Sequence, residues 1–111
     1  MISDMFIKEL NDMLPEGFQA KKFNRMPRIH IKYHHYGFAV IDLREDYYHL
    51  YAIEGLFSAV GIQHYDHISN MSNKTNRITR IPYGDMTIIK KLIQYVQENP
   101  SEVECFAVQS Y

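Results

Sequence analysis

The chain has 111 residues, 46% of them apolar and 14% aromatic, with nine Tyr, six Phe, no Trp and one cysteine. That composition excludes a disordered chain, the length suits one domain burying roughly two thirds of its extended-chain surface, and a lone Cys105 excludes an intramolecular disulfide. A formal charge of -1 conceals a segregation: between Gly17 and Ile41 lie five basic side chains, Lys21, Lys22, Arg25, Arg28 and Lys32, with three histidines and no Asp or Glu.

In chain order, Ser3 can cap a first helix, because Ile2, Phe6, Leu10, Met13 and Leu14 recur at intervals of three and four; Pro15 and Gly17 stop it. Two runs rich in strand formers follow, Arg28 to Tyr36 and Phe38 to Leu43. Gly37 between them reads as the turn of a hairpin. In the first run Ile29, Ile31 and Tyr33 alternate with Arg28, His30, Lys32 and His34, so that one face packs inward and the other becomes a basic, histidine-rich stripe. Tyr47 to Ile53 adds a third strand, and Glu54 to Val60 fits either a short helix or a continuation of it.

The polar stretch His64 to Thr79 reads as a mobile surface loop leading to a short strand near Ile78 to Ile81. Its two Asn-x-Ser/Thr triplets, at Asn70 and Asn73, read as loop composition. Ile88, Ile89, Leu92, Ile93 and Val96 form the apolar stripe of a helix from about Met86 to Glu98, with Asp85 placed to cap it and Asn99 and Pro100 to end it. Val103 to Val108 then reads as a last, buried strand. The expected class is α+β: one antiparallel sheet with an N-terminal helix and a long helix in the C-terminal half packed on one face.

No stretch approaches the roughly 20 apolar residues of a membrane span, and the opening MISDMFIKEL has acids where an export signal has bases, so a cytoplasmic protein is expected. Phosphate-cradling glycine loops, nucleophile elbows and the H-E-x-x-H zinc signature are absent from the sequence, which implies neither an enzyme nor a cofactor. Cys105 in an apolar run reads as a buried, inert thiol, and Glu45 and Asp46 as turn residues in water. His64 and His67 could supply two metal ligands if that segment were helical, and His30, His34 and His49 could converge across the strands. A site nevertheless needs three or four converging ligands, so surface histidines are the plainer reading.

The segments Phe23-Asn24-Arg25-Met26-Pro27, Tyr47 to Tyr51 and Asn76 to Pro82, together with a helix ending Gln97-Glu98-Asn99, resemble the small bacterial YdhG-like proteins of frataxin-like fold over about Leu14 to Asn99. The resemblance implies a sheet carrying two helices and, for some members, an iron-chaperone role. The acids available for that role in the first helix are Asp4, Glu9 and Asp12.

A charge-segregated surface with a surplus of Tyr and Arg has the residue types that dominate binding hot spots. The expected function is non-catalytic: a small regulator or inhibitor, as phages and mobile elements encode, that engages a larger protein, nucleic-acid-binding proteins included, through Lys21, Lys22, Arg25, Arg28, Lys32, His34 and Tyr36. Direct nucleic-acid binding, with tyrosines stacking on bases, and frataxin-like iron binding are the alternatives. Homodimerisation through an uncovered edge strand is a rival use of the same surface.

Overall fold

A computed structural model describes residues 2–22, 27–63, 65–67 and 75–106. Helix α1 (Ile2–Met13) leads into strands β1 (Phe18–Lys22), β2 (Arg28–Tyr33), β3 (Tyr36–Leu43) and β4 (Tyr47–Ile53). The short helix α2 (Leu56–Ala59) precedes β5 (Tyr65–His67), β6 (Thr75–Pro82), α3 (Thr87–Glu98) and α4 (Pro100–Phe106). The strands form one antiparallel sheet in the order β1-β2-β3-β4-β6-β5, and the class is α+β as the sequence implied.

The register sorts side chains onto two faces, because residues paired across antiparallel strands point the same way. Ala20, Ile31, Ala39, Ala52 and Asn76 form one such row, and Ile29, Ile41, Leu50 and Ile78 the next. Onto this face the helices press Phe6 and Leu10 from α1, Leu56 and Phe57 from α2, Ile89, Leu92, Ile93 and Val96 from α3, and Val103 from α4, all in one buried cluster. Burying a Leu, Ile, Val or Phe side chain is favourable by about 1.5–3 kcal/mol, so this single layer supplies most of the driving force for folding. Tyr48, fully buried, packs its ring at 5.2 Å from that of Phe6 and donates its hydroxyl hydrogen bond to the Asp85 carbonyl. Burial, with the Asp85 charge second, pushes the Tyr48 hydroxyl pKa well above the ordinary tyrosine value.

Five details differ from the sequence reading. The hairpin turn is His34-His35, with His34 at a φ of 56°, and Gly37 lies inside β3. Histidine is one of the few residue types enriched in that left-handed region, so glycine was not required there. The stretch expected to be loop as far as Thr79 is already strand from Thr75, and Phe18–Lys22 is an additional edge strand. Val103, expected in a strand, sits on α4: Asn99 and Pro100 end α3 but also start the next helix, with Pro100 at its first position, where no N–H is needed. Met86, rather than Asp85, is the boundary residue of α3, while Asp85 accepts the Thr87 N–H at 3.0 Å through its Oδ1. That contact holds the Asp85 carboxyl below the usual carboxylate range.

Candidate functional site

The helices all lie on one side, and among the described residues none covers the other face of the sheet. Alternation out of step with the core defines its members: Gln19 and Lys21 on β1, Arg28, His30 and Lys32 on β2, Gly37, Val40 and Asp42 on β3, Tyr47, His49, Tyr51 and Ile53 on β4, and Thr75 and Arg77 on β6. One row crosses the sheet as Lys21, His30, Val40, Tyr51 and Arg77, with a cation at each end. A second runs Arg28, Asp42, His49.

Asp42 is the one carboxylate on this face among the described residues. It is only 4% exposed and its Oδ2 accepts an ion-paired hydrogen bond from Arg44 at 2.9 Å, so its charge is already answered. His30, 8% exposed, is held neutral at pH 7: burial first, then the neighbouring Lys32 and Arg28 charges, lower its pKa to about 4. His49 is lowered as well, by burial and then by Arg44, against the opposing pull of Asp42. Its Nδ1 accepts the Arg80 backbone N–H at 3.2 Å. Arg80 itself takes a φ of 59° at the β4–β6 register shift and lays its guanidinium 5.5 Å from the centre of the Tyr47 ring. Tyr83 donates from its hydroxyl to the Arg44 carbonyl, tying the end of this face to the α3 side.

At the centre of the face lies a shallow, open depression lined by His30, Gly37, Val40, Tyr51, Ile53 and Thr75 among others. Its origin is local. The register shift in β3 gives that strand one extra residue, so Phe38 and Ala39 both turn into the core, where they are nearly fully buried. Gly37, paired with Lys32, puts no side chain on the outer side. The strand surface between Gly37 and Val40 is therefore bare, walled by Val40, Ile53 and the Tyr51 ring.

The seven residues singled out from the sequence divide. Lys21, Arg28 and Lys32 share the open face. Lys22 pairs with Ile29 and Tyr36 with Tyr33, so both belong to the helical side, and Tyr36 packs against the core there. His34 stands exposed in the turn, its ring 4.3 Å from that of Tyr33. Arg25 lies outside the described residues. The face gains Val40, Tyr51, Ile53 and Arg77; Arg77 belongs to a second basic stretch, His67 to Tyr83, visible in the sequence, but no local pattern places any of the four on this face, because membership depends on register between strands far apart in the chain.

Residues 65–67 are strand rather than the helix on which pairing His64 with His67 depended; His64 and the side chain of His67 lie outside the described residues. His34, His30 and His49 do not converge either, since His34 is at the hairpin tip and His49 is in register with Arg28 at the opposite end of the hairpin. Asp4, Glu9 and Asp12 are exposed on α1, and among the described residues no three His, Cys, Asp or Glu side chains gather as a metal site. The side chain of Cys105 and the segment 68–74, with both Asn-x-Ser/Thr triplets, lie outside the description. No described helix is long and apolar enough to cross a membrane. Compared with protein-family models, with curated proteins and with solved structures, the chain gives no match.

Proposed function

We propose that the protein is a non-catalytic binding domain, a small regulator or inhibitor that engages an acidic surface of a larger protein through the open face of its sheet. The observation that carries this reading is the layout of the face: an apolar centre of Val40, Tyr51 and Ile53, ringed by Lys21, Arg28, Lys32 and Arg77, with Asp42 neutralised by Arg44. Protein interfaces share that anatomy, with an apolar, Tyr- and Arg-rich centre inside a polar rim. The net charge of -1 and the exposed acids Asp4, Glu9, Asp12, Glu98 and Glu102 on the helices favour a compact acidic patch as target over a long polyanion, which would also feel their repulsion.

A second reading, single-stranded nucleic acid, draws on Tyr47 and Tyr51 standing among the cations of the same face. One experiment separates the two. Affinity capture from nuclease-treated lysate is run with the native chain and with the double variant Arg28→Glu, Lys32→Glu, whose thermal melt is measured alongside. The protein reading expects one partner at near-equal stoichiometry, lost with the variant. Recovery that vanishes with nuclease, or a partner held equally well by the variant, sinks it.

A further inference from the structure

We infer that the partner presents an acidic, extended segment with one apolar side chain that enters the depression between Gly37 and Val40. This inference rests on the binding function proposed for the open face and specifies what binds there.

Size argues first. The depression is shallow and open on one side, far smaller than the clefts of roughly 300–1,000 Å³ that enclose a small molecule. It suits a single side chain supplied from above. Chemistry argues second: the walls are Val40, Ile53 and the ring of Tyr51, and His30, paired with Val40 on the next strand, brings no charge at neutral pH, so an apolar group is preferred over an ionised one.

Charge placement argues third and fixes the spacing. Lys21 and Arg77 bound the row that crosses the depression, four strand steps apart, or about 19 Å at about 4.8 Å per step. The depression lies over β3 and β4, so Arg77 is about 7 Å from its middle and Lys21 about 12 Å. An extended chain advances about 3.3 Å per residue, which places an acid roughly two residues from the apolar anchor on one side and three to four on the other. Lys32, beside Gly37, faces whatever carboxylate lies nearest the anchor.

The test uses the purified chain and an array of fluorescein-labelled acidic decapeptides, identical except at one central position occupied by Leu, Phe, Ile, Ser or Gly, with oligo-dT as an anionic control. Fluorescence anisotropy is the readout. The expected result is at least ten-fold tighter binding of the Leu or Phe peptides than of the Gly peptide, with that advantage erased by Gly37→Val, which fills the depression. Ile53→Asn, which removes one apolar wall, is the second variant and erases it too if Gly37→Val does not fold. Equal binding of the Leu and Gly peptides, both lost on Arg28→Glu, Lys32→Glu, overturns the anchor and leaves the acidic-partner reading standing. No peptide binding, or tighter binding of oligo-dT than of every peptide, overturns both.

Discussion

Along β4, Tyr48, Leu50 and Ala52 lie buried beneath the helices, while Tyr47, His49, Tyr51 and Ile53 alternate with them and stay half-exposed on the other side. Two environments thus share one backbone. The covered face is largely apolar, with Asn76 as a buried polar member; the open face mixes cations, aromatics and a bare patch of strand. Core packing is concentrated on the first and the proposed recognition chemistry on the second, and the pleat keeps them apart by a single residue. Substitutions in neighbouring positions should therefore separate the two properties cleanly.

The largest effect is expected on the covered side. Leu50→Ala removes a completely buried side chain between packed neighbours and should cost roughly 3–5 kcal/mol in urea denaturation. A loss under about 1 kcal/mol would mean that the core collapses around the gap, and that the two faces differ less than their burial indicates.

Next comes His30, where the open face has a buried member. Its pKa of about 4 in the folded chain lies below the ordinary 6.5, so the unfolded chain binds a proton in that interval and the folded chain does not. The contribution of His30 is fully present above about pH 6.5 and is lost as the pH falls toward 4, by about 3 kcal/mol. His30→Gln should flatten that part of the stability curve. An unchanged slope would show that His30 is not the group responsible.

Tyr48→Phe, which leaves the Asp85 carbonyl without its hydroxyl partner, should cost about 1–2 kcal/mol with the aromatic packing against Phe6 retained. A neutral result would show that water replaces the hydroxyl without loss. Smallest of all, Arg28→Ala on the open face should shift stability by no more than about 0.5 kcal/mol, since its side chain is exposed and carries no core packing. A larger loss would make the cationic rim part of the scaffold rather than free for a partner.

Periodicity made much of this legible. The three- and four-residue spacing of α1 and α3 and the alternation of β2 each have one physical solution, and the structure contains it. Failures came where a local signal admits two solutions. A short apolar run such as Val103 onward fits a buried strand or a helix face, and only its packing beside α3 and over β3 decides for the helix. Gly37 looked like a turn because glycine tolerates a positive φ, yet its use here is the missing side chain. As for the site, Lys21, Arg28 and Lys32 were visible as a charge run, whereas Lys22 lies one residue from Lys21 and therefore on the other face. Val40, Tyr51, Ile53 and Arg77 join them only through cross-strand register.

Strand β1 has a further consequence at the margin of the sheet. Among the described residues it is an edge strand with one side unpaired, and its exposed Lys21 and Lys22 point to opposite faces. A second copy adding at this edge would have to crowd and partly dehydrate a long cationic side chain on each face of the sheet, which carries a cost. Lys21, one of the basic residues of the proposed binding face, thereby also works with Lys22 against growth of the sheet by its own kind.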